Sequence, residues 1–172
     1  DQSDAPASKR VYTASVYIYV DDDPENAYVL GPFRGSTYPN SSTEHRRVVE
    51  GPFDYTTQYG HAGGRTRGLN LVNDRGERSV NGIDAEGNGV TLTFINVHSG
   101  VAPASNHGRH NRGSAGCLTI HPDDASGFFE IFGGTRANMI ASPTRGQLHV
   151  YRGASDDAKD LLDQLAALTR QR

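Results

Sequence analysis

The stretch "VTLTFINVH", residues 90–98, indicates the fold class because apolar and polar residues alternate along it and β-branched side chains are frequent. This pattern predicts a strand with one buried face, ending at His98. Six further strands are predicted on the same grounds, at 11–20, 27–30, 48–58, 69–72, 80–83 and 147–152. We therefore expect a mostly β chain.

Gly-rich and polar segments separate these strands. The acidic turn 21–26 predicts a hairpin between 11–20 and 27–30, while 31–42 and 84–89 are predicted as a loop and a turn. The segment "GHAGGRTRG", 60–68, is a Gly-rich loop with two arginines. Because it lacks the lysine and the spacing of a P-loop, a phosphate cradle is disfavoured.

Two helices are predicted. The first covers 122–132, with Pro122 in its first turn and Gly133 at its end. The second covers 155–168 and is a packing helix, capped by Ser155. Its apolar face consists of Ala158, Leu161, Leu162, Leu165 and Leu168. The resulting expectation is an α+β domain over 10–172 with mostly antiparallel strands, preceded by a flexible tail at 1–9.

Composition excludes several classes of protein. The chain has 172 residues and a net charge of −3, which gives no electrostatic reason to expect nucleic acid binding. No apolar run approaches the roughly 20 residues that a membrane-spanning helix needs. The single cysteine, Cys117, cannot form an internal disulfide.

Cys117 lies in "GSAGCLTIH", 113–121, and three interpretations are open. It is a small buried residue, a metal ligand or a nucleophile on a tight turn. A zinc site would use the pattern H-x₂-H-x₆-C-x₃-H, formed by His107, His110, Cys117 and His121. That spacing is not a standard zinc pattern, so a nucleophile is favoured over a metal site. Small residues before Cys117 allow a sharp turn and close approach of a substrate.

Read together, "H-S-G-x₁₃-S-A-G-C", 98–117, resembles the signature of the L,D-transpeptidase (YkuD-like) catalytic domain. His98 stands in the place of the family's histidine, fifteen residues separate it from Ser114, and Gly116 and Cys117 match the nucleophile turn. The resemblance covers about residues 90–130. It implies a YkuD-like sandwich of mixed and antiparallel sheets, with a short helix after the catalytic cysteine.

The resemblance also implies a function. Cys117 would form a thioester with a peptidoglycan stem peptide, His98 would act as the base, and the carbonyl of Ser99 would orient the imidazole. The backbone N–H groups of Gly116 and Cys117 would hold the oxyanion. The outcome would be L,D-transpeptidation, D-amino-acid exchange or L,D-carboxypeptidase activity, without a cofactor. Such an enzyme would work outside the cytoplasm, as a secreted antibacterial effector with an immunity or carrier protein as partner.

Departures from the family pattern concern the substrate contacts. Ala115 replaces the usual histidine, and Thr119 stands where Asn or Arg is usual. Arg109 and Arg112 could therefore bind a substrate carboxylate instead. The residues expected to contact the substrate are Ser114, Arg109, Arg112, Thr119, His107 and Tyr38. The same departures leave two alternatives open: an inactive cell-wall or partner-binding module of this fold, and a zinc-dependent hydrolase that uses His107, His110 and His121.

Overall fold

The computed structural model describes residues 12, 14–20, 28–37, 46–100 and 116–151, together with the single positions 160, 163 and 167. Within these ranges the chain forms ten strands and two helices. The strands are β1 (Ala14–Val20), β2 (Tyr28–Ser36), β3 (Arg47–Val48), β4 (Gly51–Thr56), β5 (Leu69–Val72), β6 (Ser79–Ile83), β7 (Gly89–Thr93), β8 (Asn96–Ser99), β9 (Leu118–Ile120) and β10 (Arg145–Val150). The helices are α1 (Pro122–Glu130) and α2 (Arg136–Ala141).

Seven strands form one mixed sheet in the order β1-β2-β9-β8-β5-β4-β10. Every neighbouring pair is antiparallel except β8 and β9, which run parallel. The remaining strands form a second, antiparallel sheet in the order β3-β6-β7. The expectation of a mostly β domain with mainly antiparallel strands is confirmed.

The prediction of one strand over 90–98 is wrong. The segment divides between the two sheets, because β7 pairs with β6 whereas β8 pairs with β5 and β9. The break falls at Phe94, which has a φ of 60° and a largely exposed side chain. A non-glycine residue at positive φ leaves the extended conformation, so the chain turns there from one sheet into the other.

The prediction that 31–42 is a loop is also wrong over its first half, where Gly31–Ser36 continue β2. A bulge accommodates "GP" within the strand: Val16 pairs with Phe33 and Ile18 with Leu30. Gly31 has a φ of 118°, and a Cβ there would lie 2.6 Å from the carbonyl oxygen of Val16. Glycine is therefore required at this point of the strand.

The prediction of one strand over 48–58 is likewise wrong, because β3 pairs with β6 in the second sheet whereas β4 pairs with β5 and β10 in the first. The other predicted elements within the described residues are confirmed with small shifts. The strand at 69–72 and the helix that begins at Pro122 lie where predicted, and the last strand begins two residues early. The short strand β9 and helix α2 were not predicted. Positions 160, 163 and 167 are helical and exposed, as expected for the polar face of a helix at 155–168. The apolar face predicted for that helix, and the tail at 1–9, lie outside the described residues.

Helix α1 is fixed to the sheet at its N-terminus. The Nδ1 atom of His121 accepts a hydrogen bond from the backbone N–H of Asp123, and the guanidinium of Arg34 on β2 forms two hydrogen bonds with Asp124. Phe128 and Phe129 are buried in the same apolar cluster as Leu71 of β5. These contacts hold α1 beside β8 and β9. None of the described helices is long and apolar enough to cross a membrane.

Candidate active site

The central strands carry a polar face. Because successive residues of a strand point to opposite faces, Asn96 and His98 of β8 share one face while Val97 points to the other. The register pairs Asn70 with Asn96 and His98 with Thr119. Cys117 precedes Thr119 by two residues, so it belongs to the same face. The opposite face is apolar, formed by Leu69, Leu71, Val97, Leu118 and Ile120.

His98 is oriented by a backbone contact and is 4% exposed. Its Nδ1 lies 2.7 Å from the carbonyl oxygen of Ser99. Since a carbonyl only accepts, Nδ1 carries the proton and Nε2 keeps its lone pair. Burial lowers the pKa of His98 from 6.5 to about 4, helped by the neighbouring His61 and opposed by the Ser99 hydrogen bond. His98 is therefore a neutral base near pH 7.

This pKa predicts a loss of stability in acid. Unfolded His98 takes up a proton near pH 6.5 but folded His98 only near pH 4, so the unfolded state binds more protons between these values. We expect His98 to lower the free energy of unfolding by about 3 kcal/mol as the pH falls through this window. Urea unfolding at pH 7 and pH 4.5 measures it. His98→Gln should lose most of the pH dependence, and the exposed control His149→Gln should keep it; equal slopes in both would contradict the prediction.

A second imidazole, that of His61, lies against the first. The two rings are stacked, with centroids 3.8 Å apart and planes 4° from parallel. His61 comes from the Gly-rich loop, which folds back so that the N–H groups of Arg65 and Thr66 donate to its carbonyl. Burial, and then the positive charge of Arg78, lower the pKa of His61 as well. Two neutral imidazoles can stack without the repulsion that two cations would suffer.

A chain of buried amides determines which nitrogen of His61 carries its proton. The backbone N–H of Tyr59 donates to Asn70 Oδ1, so Asn70 Nδ2 must be the atom that donates to Asn96 Oδ1. Asn96 Nδ2 then donates to His61 Nδ1 over 3.1 Å. Because Nδ1 of His61 accepts, its proton lies on Nε2, which is a hydrogen-bond donor. The two histidines thus have opposite tautomers.

Cys117 completes the cluster. One ring nitrogen of His61, one of His98 and the Sγ of Cys117 all lie within 4.8 Å of one another. The Sγ lies 3.9 Å from Asn96 Nδ2 and 3.9 Å from the carbonyl oxygen of Phe94. Cys117 is half-buried, unlike the fully buried apolar residues that follow it. A thiol beside a neutral imidazole base can lose its proton to it and become a nucleophile.

The close approach of His61 depends on Gly68. A Cβ at Gly68 would lie 2.9 Å from the Cβ of His61 and 3.3 Å from its backbone nitrogen. We expect Gly68→Ala to displace His61 from its stack on His98 and to lower the kcat/KM of any reaction that this site catalyses about tenfold or more, since displacements of about 1 Å can cost a hundredfold. Gly89→Ala is the matched control, because nothing lies within 4 Å of a Cβ there. Unchanged kinetics in Gly68→Ala would show that the position of His61 is unimportant.

A cavity of about 700 Å³ opens beside the two imidazoles. Its polar lining includes three arginines, Arg65, Arg67 and Arg136, and the hydroxyl residues Thr66, Ser99 and Thr135. No acidic residue of the described chain lines it. The cavity is large enough for a small ligand or the end of a peptide.

The predicted site residues are only partly brought together. The structure brings His98 close to Cys117 and places the Ser99 carbonyl on His98 Nδ1, and Gly116 directly precedes the cysteine. Thr119 was predicted to contact substrate but is 1% exposed, because its side chain is covered between β2 and β8. The remaining predicted substrate contacts, Ser114, Arg109, Arg112, His107 and Tyr38, lie outside the described residues.

The zinc pattern predicted from the sequence is not formed by the described members. His121 caps α1 through Nδ1 and packs edge-on against Tyr12, and the group of metal-ligating type around Cys117 contains His61 and His98 instead. His107 and His110 lie outside the described residues. A metal ion lies near the plane of each imidazole that binds it. Because the planes of His61 and His98 are stacked and parallel, one ring would have to rotate before both could bind the same ion.

Sequence reasoning missed His61, Asn70, Asn96 and the arginines of the cavity. A signal was present for the two asparagines, since each is a polar residue inside an apolar run that predicts a buried strand. No significant match to a protein-family model, a curated protein or a solved structure was found for the chain. The site geometry and the sequence pattern are therefore the basis for assigning a function.

Proposed function

We propose that this protein is a cysteine-dependent acyl-transfer enzyme, with Cys117 as nucleophile and His98 as base. The observation that carries the proposal is the neutral, buried imidazole of His98 within 4.8 Å of the only thiol. The Ser99 carbonyl holds its Nδ1, so the basic Nε2 is the nitrogen left to accept the thiol proton.

The reaction follows from these groups. His98 Nε2 takes the proton of Cys117, and the thiolate attacks an amide carbonyl carbon to give a tetrahedral oxyanion. His61 Nε2–H would donate to that oxyanion, together with the backbone N–H groups of Gly116 and Cys117 that the resembled signature implies for this role. Its collapse breaks the C–N bond, and His98 returns the proton to the leaving amine. An amine or water then attacks the thioester and regenerates the thiol.

Peptidoglycan stem peptides are the substrate that we propose. Support comes from the pattern "H-S-G-x₁₃-S-A-G-C", which resembles the L,D-transpeptidase signature, and from a mostly β domain that agrees with a YkuD-like sandwich in fold class. The bond cleaved would lie between an L-centre and a terminal D-residue. An extracytoplasmic site of action and a role as an antibacterial effector, with an immunity or carrier protein as partner, belong to the same proposal.

Defined muropeptides test it directly. Incubation of the protein with a disaccharide tetrapeptide, followed by mass spectrometry, should show loss of the terminal D-amino acid, its exchange for an added D-amino acid, or a cross-linked dimer. A carbapenem should add its mass at Cys117 as a covalent acyl adduct. Neither product nor adduct from the folded protein would refute the proposal.

A metal-dependent hydrolase is the second candidate, favoured by the proximity of His61, His98 and Cys117. Zinc commonly binds such ligands and leaves a fourth position for water. Metal analysis of the purified protein, with turnover measured before and after chelation, distinguishes the candidates: a thiol enzyme should keep its rate in chelator and lose it with iodoacetamide. An inactive binding module would show neither turnover nor fast alkylation of Cys117.

A further inference from the structure

The arginines of the cavity come from two separate segments that converge beside the imidazole pair. Arg65 and Arg67 belong to the Gly-rich loop, and Arg136 is the first residue of α2. Arg136 Nη2 lies close to this loop, since it would be 3.8 Å from a Cβ at Gly64. Arg65 and Arg136 are exposed and Arg67 is half-buried, so water screens their mutual repulsion, and the three guanidinium groups together make this wall of the cavity positive.

Two of the three guanidinium groups are held in place by the protein. Arg67 packs over the ring of Phe129 and donates from Nη1 to the carbonyl oxygen of Gly134 over 2.9 Å. Arg65 donates from Nε to the carbonyl oxygen of Ala62. Each of these bonds uses one of the five N–H groups of the guanidinium, so donors remain for a ligand. Such an arrangement lowers the entropy lost when a carboxylate binds.

Within the described residues, none of these arginines forms a direct ion pair with a carboxylate, although the Glu130 carboxylate lies beside Gly134. The ion pairs there involve Arg34 and His121 with Asp123 and Asp124, which lie at the start of α1. The chain as a whole carries a net charge of −3, so a cluster of three unpaired arginines does not follow from an excess of basic residues. A positive wall of this kind favours an anionic ligand in the cavity.

The position of the cavity relative to His98 suggests where that anion belongs. His98 lines the cavity, and in the proposed reaction it returns a proton to the leaving amine. When the leaving group is an amino acid, its α-carboxylate is separated from that nitrogen by a single carbon. A guanidinium that lines the same cavity as His98 could therefore bind this carboxylate through two hydrogen bonds.

We propose that Arg65, Arg67 and Arg136 bind the free α-carboxylate of the residue that is released, which restricts the enzyme to the carboxyl end of its peptide substrate. This inference rests on the proposed acyl transfer at Cys117. It assigns carboxylate recognition to the Gly-rich loop and α2, whereas the sequence had suggested Arg109 and Arg112 for that role.

The first test compares a stem tetrapeptide with its C-terminal amide. For the wild-type protein, kcat/KM should be about 10² higher for the free acid, as expected for the loss of charge-assisted hydrogen bonds. The double variant Arg65→Gln/Arg136→Gln should bring the two values to within about threefold. Arg145→Gln, an exposed arginine on β10 outside the cavity, should keep the wild-type preference. A preference unchanged in the double variant would overturn the inference while leaving acyl transfer intact.

The second test does not require peptide turnover. Iodoacetate and iodoacetamide both alkylate a thiolate with release of iodide, but only iodoacetate carries a carboxylate. Relative to free cysteine, Cys117 should prefer iodoacetate by about tenfold, and the double variant should lose this preference while Arg145→Gln keeps it. That result would support an anion site even if no muropeptide were a substrate. No preference in the wild-type protein, or no alkylation by either reagent, would overturn the inference.

Discussion

Replacement of Cys117 by Ala should abolish turnover of stem peptides, by at least about 10⁴-fold in kcat, while the protein remains folded. Alanine fits the same turn but has no thiol and cannot form a thioester. Mass spectrometry of muropeptide products and of the carbapenem adduct measures the loss.

Two controls show whether the loss is chemical. Unfolding in urea should give a stability within about 1 kcal/mol of the wild type, because the half-buried thiol contributes little packing. Cys117→Ser should also be inactive, since a serine hydroxyl loses its proton to an imidazole far less readily than a cysteine thiol does. Full activity in Cys117→Ala, or a stability loss of several kcal/mol, would show that the residue is structural and would refute the enzyme proposal.

Removal of the base should have the next largest effect. We expect His98→Gln to lower kcat/KM by about 10² to 10⁴, the usual contribution of a general base. The residual rate should rise with pH, because hydroxide then removes the thiol proton. His149→Gln, on the exposed side of β10, should leave the rate unchanged.

The pH profile tests the same residue in the wild type. With the pKa of His98 lowered to about 4, the imidazole stays neutral and able to accept a proton at all higher pH values. The acid limb of kcat/KM should therefore fall near pH 4 and not near 6.5, the ordinary value for histidine. An acid limb at 6.5 would mean that His98 is more exposed to water during turnover than its burial indicates.

The sequence predicted the local features of the site better than its assembly. His98 and Cys117 stood out because each ends or precedes an apolar run and because their spacing resembles the L,D-transpeptidase signature. The division of "VTLTFINVH" between two sheets could not be predicted, because the alternation of apolar and polar residues continues through Phe94. A phenylalanine also gives no indication of a positive φ. Phenylalanine adopts that conformation here where the chain crosses between sheets.

His61 could not have been predicted from the sequence, for a different reason. It lies 37 positions before His98, in a loop whose composition suggested only a turn. Its place is fixed by tertiary contacts: the amide chain from Tyr59 through Asn70 and Asn96, and the space left by Gly68. The positions of the cavity arginines also depend on tertiary packing, because Arg136 and Arg65 line the same cavity only when α2 lies near the loop.

The parallel pairing of β8 with β9 has a consequence for how activity appears during folding. His98 lies on β8 and Cys117 directly precedes β9; the two strands are not linked by a hairpin, and 19 positions of sequence separate the proposed base from the proposed nucleophile. Contacts of this kind require loop closure first and form late relative to local structure. We therefore expect His98 and Cys117 to come together late in refolding, so that regain of the proposed turnover reports formation of the central sheet rather than of any single helix or hairpin.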